Sequence, residues 1–184
     1  FIKEFLPQCS DSEKAQIAKE YVKFNERSMI RLLGDMRAYN YVVVPTHDFD
    51  QVVYKIRPID FDQQSFEGKL SVYRPQFFKE NKALMDLVRT KLKHNSINQY
   101  KVEERSIVAR RIISSGNRLE NLLKIMQSET LTLTENLERL RKEIFKFTKD
   151  KAFMQSQSMG DIMKASFQFV RLHYEKVDMH DLFQ

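Results

Sequence analysis

Three polar side chains stand where the chain changes direction. Asp35 follows Gly34 at the end of a helical run. Asn40 comes five residues later, just before a β-branched stretch, and Asp60 lies in Ile59-Asp60-Phe61-Asp62 at the end of the next one. A carboxylate and a carboxamide oxygen that converge make a hard oxygen site suited to Mg²⁺. That ion usually takes one or two protein ligands and completes its shell with phosphate oxygens and water. A further carboxylate kept off the metal can accept a proton from an attacking hydroxyl. Phosphoryl transfer asks little more of a protein than positioning and charge neutralisation.

For these groups to meet, the chain between them must double back. Tyr41 to Val44 is a short β-branched run closed by Pro45, His47-Asp48-Phe49-Asp50 reads as a turn, and Val52 to Ile59 reads as the returning strand. Pro58 demotes a central strand, so the pair is expected as a small surface hairpin. A hairpin returns its ends to one place, which makes Asn40 and Asp60 expected neighbours with Asp35 folding over them.

Helices are expected on both sides. Ser10-Asp11-Ser12-Glu13 has capping-box spacing, and Ile17, Tyr21 and Phe24 follow on one face, predicting a helix from about Asp11 to Leu32 that Gly34 ends. A polar loop runs from Gln63 to Pro75, and a helix is expected from Gln76 to Lys93. Ser96-Ile97-Asn98-Gln99 predicts another helix start, with a run to Ser115, a break at Gly116 and a continuation from Asn117 to Gln127. Leu133, Leu137, Leu140, Ile144 and Phe147 step by alternating fours and threes, the spacing of an amphipathic helix. Ser158 and Asp161 bracket the last helix, with Met159, Ile162, Met163, Phe169 and Val170 as its core side. The expected fold is α+β and mostly α: one long helix, a small β hairpin and about five further helices. Residues 1–95 would carry the site, and 96–184 the helical remainder or an appended bundle.

The 184 residues suffice for one core, and 42% hydrophobic with 30% charged residues describe an ordinary globular chain. No apolar run of about 18 residues is present, so no membrane span is expected. The single cysteine, Cys9, cannot close an internal disulfide, which points to a reducing, cytoplasmic setting. The first residue is Phe1, not Met, so the chain is expected to be a fragment or a processed piece. The net charge of +6 is uneven: 9 Lys/Arg face 10 Asp/Glu up to Asp62, and 22 face 15 beyond it. The later basic residues are interleaved with Glu, the pattern of a solvated helix surface. No nucleic-acid-binding motif appears, so nucleic acid is not expected as a partner. Oligomeric state is not legible.

Gly-Asp-Met-Arg-Ala-Tyr-Asn, a strand, a turn, a strand and Ile-Asp-Phe-Asp together resemble the catalytic core of the protein-kinase-like fold. The likeness is nearest to its aminoglycoside and choline phosphotransferase branch and covers about residues 11 to 75. The resemblance implies a C-terminal lobe in which Asp35 is the catalytic base, Asn40 and Asp60 hold Mg²⁺, and ATP is the phosphoryl donor to a small-molecule or protein hydroxyl. Leu33 stands where that family has His, and Arg37 and Tyr39 stand where it favours His, Pro and Gly. "SVYRPQFF" replaces the Ala-Pro-Glu segment of ordinary protein kinases. No Gly-rich loop or strand lysine precedes the long helix, so the resemblance implies a missing N-terminal lobe, or a partner that supplies it, and no activity without it. Two other readings are a kinase-like scaffold that binds a partner without catalysis, and a basic helical module for nucleic acid. Without the resemblance, Asp35 would cap a turn, Asn40 would make a side-chain turn, and Asp60 and Asp62 would be solvated.

The remaining polar groups suggest little. His47 and His94 are scattered, and His173, Asp178, His180 and Asp181 lack the spacing of a zinc helix. Cys9 has no evident activating partner. Ser65, Ser71 and Tyr73 are expected in an exposed polar loop, and Lys69, Arg74 and Lys79 are expected to be solvated.

Overall fold

Ser10 and Glu13 close a capping box that opens α1 (Asp11–Ile30) in the computed structural model, which describes residues 1–49, 51–61 and 68–175. The expectations placed on Asp50, Asp62, Ser65 and the rest of 63–67, Asp178, His180 and Asp181 lie outside the described residues. The Glu13 N–H donates to Ser10 Oγ at 3.3 Å, and the Ser10 N–H donates to Glu13 Oε2 at 2.7 Å. Ile17, Ala18, Tyr21, Val22 and Phe24 bury one face of the helix. The helix stops two residues before Leu32. There the backbone turns left-handed, with φ +49° at Leu32, and the Leu33 N–H reaches back to the Ser28 carbonyl at 2.9 Å. Gly34 is therefore not the residue that ends it. Burial holds Leu32 and Leu33 in place, both at 2% exposure or less.

The hairpin is longer than its sequence pattern suggested. β1 (Tyr41–Asp48) pairs antiparallel with β2 (Gln51–Pro58), and Pro45 lies inside β1 opposite Tyr54 rather than closing it. The ladder shows why. The Ile59 N–H donates to the Asn40 carbonyl at 3.0 Å, so hydrogen-bonded pairs fall at every second step from there. Pro45 opposite Tyr54, and Pro58 opposite Tyr41, both fall between them, where a missing N–H breaks nothing. One face of the ribbon packs on α1 through Tyr41, Tyr54 and Ile56.

Short 3₁₀ turns fill 70–81, and α2 (Lys82–Lys91) begins six residues later than expected. α3 (His94–Ser128) starts before Ser96, so no capping box forms there. It kinks at Gly116, which takes φ +49° and ψ −136°. α4 (Thr134–Thr148) buries Leu137, Leu140 and Ile144 but leaves Leu133, its N-cap, exposed. α5 (Lys151–Gln155) is one turn, and α6 (Met159–His173) buries Met159, Ile162, Met163, Phe169 and Val170 as expected. The fold is mostly α, α+β, with six helices and one two-stranded hairpin among the described residues. No helix among them is long and apolar enough to cross a membrane.

Two of the three apolar clusters among the described residues make up most of the core, and a small third joins Ile30 of α1 to Val108 and Ala109 of α3 and to Val170 of α6. The first joins α1, the hairpin, α2 and the start of α3. The second joins Leu32, Leu70 and Tyr73 to the end of α3 and to α4, α5 and α6. Between α1 and α3 runs an ionic seam. Arg27 reaches Glu20 at 2.7 Å and Glu104 at 3.2 Å, and Lys23 reaches Glu103 at 2.8 Å. Arg105 meets Glu26 at 2.7 Å, with both side chains at least nine-tenths buried. Part of the basic half of the sequence is therefore packing material rather than solvated surface. Helices also touch without side chains between them: a Cβ on Gly160 would come 2.4 Å from the Gln127 backbone nitrogen.

Asp161 completes the cap of α6. It accepts from the Ser158 N–H at 3.1 Å, the Gln157 N–H at 2.9 Å and Gln127 Nε2 at 2.6 Å. Burial alone would raise its carboxyl, but the bonds from Gln127, Gln157 and Ser158 outweigh it and hold the group below its ordinary value. Asp161→Ala should cost about 1–2 kcal/mol at neutral pH in urea unfolding. Because the folded-state value is depressed, this stabilisation is present above the unfolded carboxylate pKa of about 4 and is lost as pH falls through the folded value. The gap between variant and wild type should therefore narrow at pH 3; an unchanged gap would show that charge plays no part in the cap.

Candidate functional site

The loop from Leu33 to Asn40 is held from inside. Met36 is fully buried in the first cluster and pins the middle of the loop. Asp35 takes a left-handed conformation, φ +53°, which Asp tolerates better than most residues and which is over-represented at working sites. Its N–H donates to the Val72 carbonyl at 3.0 Å, tying the loop to the 3₁₀ turn Leu70–Tyr73. Its carbonyl accepts twice, from the Arg37 N–H at 2.7 Å and from Asn40 Nδ2 at 2.7 Å. Asn40 Nδ2 also lies 3.4 Å from Asp35 Oδ2. Asp35 and Asn40 are thus in direct contact.

Asp60 approaches through the ladder. The hydrogen bond from Ile59 to Asn40 sets the two chain segments side by side, and Asp60 is the next residue, half-buried. Asn40, which is buried, orients its amide through the bond to the Asp35 carbonyl. That bond turns the nitrogen inward and leaves Oδ1 as the side-chain atom with no protein partner among the described residues. An amide oxygen of this kind is a ligand type that Mg²⁺ accepts. Among the described residues no three His, Cys, Asp or Glu side chains cluster as a self-sufficient metal cage.

Three residues that the sequence pattern did not single out complete the loop. Arg37 Nε donates to Asp35 Oδ1 at 2.6 Å and Nη1 to Glu80 Oε1 at 3.2 Å, while its guanidinium lies 4.7 Å from the centre of the Phe78 ring. The bond to Asp35 raises the Arg37 pKa above its ordinary value. Glu80 is held below its ordinary value, by a backbone hydrogen bond first and by Arg37 after that. Asn81 has no exposed surface. Its Oδ1 accepts from Tyr41 Oη at 2.7 Å, and its Nδ2 donates to the carbonyls of Met36 at 2.9 Å and Pro75 at 2.8 Å. These partners lie more than forty residues from the loop in sequence, and no local motif announces them.

A cavity of about 350 Å³ opens beside Asp35, lined by Arg37, Lys69, Ser71, Val72, Phe77 and Phe78. A second, of about 490 Å³, adjoins it and shares Lys69, Ser71 and Phe77. Two expectations for this region need correction. Tyr73 is buried in the second cluster, not exposed in a polar loop. Arg74 is not simply solvated: it is half-buried, with its guanidinium 5.6 Å from the Phe77 ring centre and 4.8 Å from that of Phe147. Ser71 and Lys79 are exposed.

The other polar groups do not converge on the site. Cys9 is buried and donates to the Phe5 carbonyl at 3.6 Å, and burial, then Glu13, pushes its thiol above the ordinary value. His94 pairs with Asn98 at 3.0 Å, His47 sits exposed on β1, and His173 packs edge-on to Phe169 at 4.9 Å. Comparison with protein-family models, with curated proteins and with solved structures finds no match.

Proposed function

We propose that the chain is the acceptor-side lobe of an ATP-dependent phosphotransferase acting on a hydroxyl. The observation that supports this reading most is the junction of the loop and the hairpin. Asp35 and Asn40 touch, and Asp60 follows Ile59, whose N–H bonds to the Asn40 carbonyl. Asn40 Oδ1 and the Asp60 carboxylate would hold Mg²⁺, which would neutralise phosphate charge as the phosphoryl group moves. Asp35 would take the proton from the acceptor hydroxyl. The acceptor oxygen would form its bond to the γ-phosphorus as the bond from that phosphorus to the leaving ADP oxygen breaks. Nucleotide-covering groups would come from a further lobe or a partner.

One observation favours a second reading, a scaffold that binds a partner without catalysis. Arg37 holds Asp35 Oδ1 at 2.6 Å, so that oxygen already serves as the acceptor of a structural ion pair. Magnesium-dependent nucleotide binding separates the two. On the phosphotransferase reading, Asp60→Ala should weaken Mg·ATP binding by about tenfold or more, measured by isothermal titration, and wild-type binding should collapse in EDTA. Binding that is indifferent to both EDTA and the substitution would remove Asp60 from any metal site and with it the phosphotransferase reading.

A further inference from the structure

The cavity next to Asp35 continues into a cationic one. The second cavity is lined, among the described residues, by Lys69, Arg74, Arg139 and Lys146 against one carboxylate, Glu143. Arg139 and Lys146 lie two turns apart on α4, on the side opposite its buried Leu137, Leu140 and Ile144, and both are exposed. Glu143, between them, is already engaged: it accepts from the Leu70 N–H at 2.5 Å and lies 3.8 Å from Arg139. Arg74 forms the floor. It is fixed by the Phe77 and Phe147 rings, and its Nε is buried with no hydrogen-bond partner. Burial pulls its guanidinium below the ordinary value, while Glu143 and Glu26 act against that. The Arg74 side chain lines the cavity, and arginine binds anions with directed, charge-assisted hydrogen bonds.

We infer that this cavity binds the anionic group, a phosphate or a carboxylate, of a small hydroxylated acceptor whose hydroxyl lies next to Asp35. The inference rests on the phosphotransferase reading for the word acceptor, and on the cavity alone for the anion. Lys69, Ser71 and Phe77 line both cavities, so one molecule can span them. Their volumes are those of small-molecule sites. The cations are gathered in a concavity rather than along an extended stripe, which favours a compact anion over a polynucleotide. Transfer would leave a product with one more phosphate group, and hence more negative charge, than the acceptor.

The test uses three probes with similar hydroxyls: glycerol 3-phosphate, glycerate and glycerol. Binding to the full chain is followed by NMR or isothermal titration, with Mg·ATP binding measured on the same samples. One or both charged probes should bind at least about tenfold more tightly than glycerol, and a rise in salt should weaken them. The stronger of the two identifies the anion. The charge-reversal variant Arg139→Glu/Lys146→Glu should lose about tenfold or more of that affinity, and the milder Arg139→Gln/Lys146→Gln a part of it. The second pair guards against misfolding of the first. Equal binding of charged and neutral probes, unchanged binding in both folded variants, or tighter binding of a ten-residue oligothymidylate than of either small anion would each overturn the inference. Anion binding without any Mg·ATP binding, even with the nucleotide-covering lobe or partner present, would leave the cavity assignment standing and defeat the phosphotransferase reading alone.

Discussion

With the nucleotide-covering lobe or partner present, replacing Asp35 by asparagine should slow Mg-dependent phosphoryl transfer by about 10²–10⁴-fold, the usual contribution of a positioned general base. The substitution is chosen for its backbone. Asp35 sits at φ +53°, and asparagine tolerates that conformation about as well as aspartate does. The bonds that use the backbone of residue 35, to Val72, Arg37 and Asn40, remain available. The fold and Mg·ATP binding should therefore survive while turnover falls. Single-turnover measurement with labelled ATP is the direct check. Turnover within a factor of about three of wild type would show that proton removal does not pass through this carboxylate.

The largest effect on stability should come from Arg105, far from the cavities. Its partner Glu26 lies with it inside the seam between α1 and α3, and the second carboxylate oxygen of Glu26 is buried with no hydrogen bond of its own. Arg105→Leu would leave that carboxylate buried without its counter-charge, at a cost of about 3–5 kcal/mol. The double variant Glu26→Leu/Arg105→Leu should recover most of the loss, because it removes the charge that had to be desolvated. Urea unfolding of both singles and the double closes the cycle. A cost below about 1 kcal/mol for Arg105→Leu would mean that another cation, Arg74 being a candidate, compensates Glu26.

The parts of the fold that local chemistry decides were legible in advance. Ser10 with Glu13, and Ser158 with Asp161, form the caps their spacing suggests. The β-branched runs pair as a hairpin that returns Asn40 to the neighbourhood of residue 59. What tertiary contacts decide was not. Pro45 and Pro58 looked like strand breakers, but whether a proline interrupts a ladder depends on register, which only the pairing sets. Leu32 ends α1 by burying itself, although Gly34 was the better local candidate.

Of the candidate site, the contact between Asp35 and Asn40 was legible, because only five residues separate them. Arg37 was visible, but its engagement with Glu80 spans 43 residues and depends on where the 3₁₀ turns fall. Lys69 and Arg74 could be noticed in the sequence. Their association with Arg139 and Lys146 could not, because α4 reaches them only through the packing of the second cluster.

Asn81 has a consequence for how this chain can drift. It serves three backbone or side-chain partners at once, with one acceptor and two donors on a two-carbon arm, in a place with no spare volume. Aspartate lacks the donors, glutamine is a methylene too long, and histidine has the wrong shape. No single-residue path leads away from asparagine without releasing the Met36 end of the loop. The loop's shape is therefore fixed whether or not the Asp35 carboxylate does any chemistry, and a preserved loop is by itself poor testimony that it does.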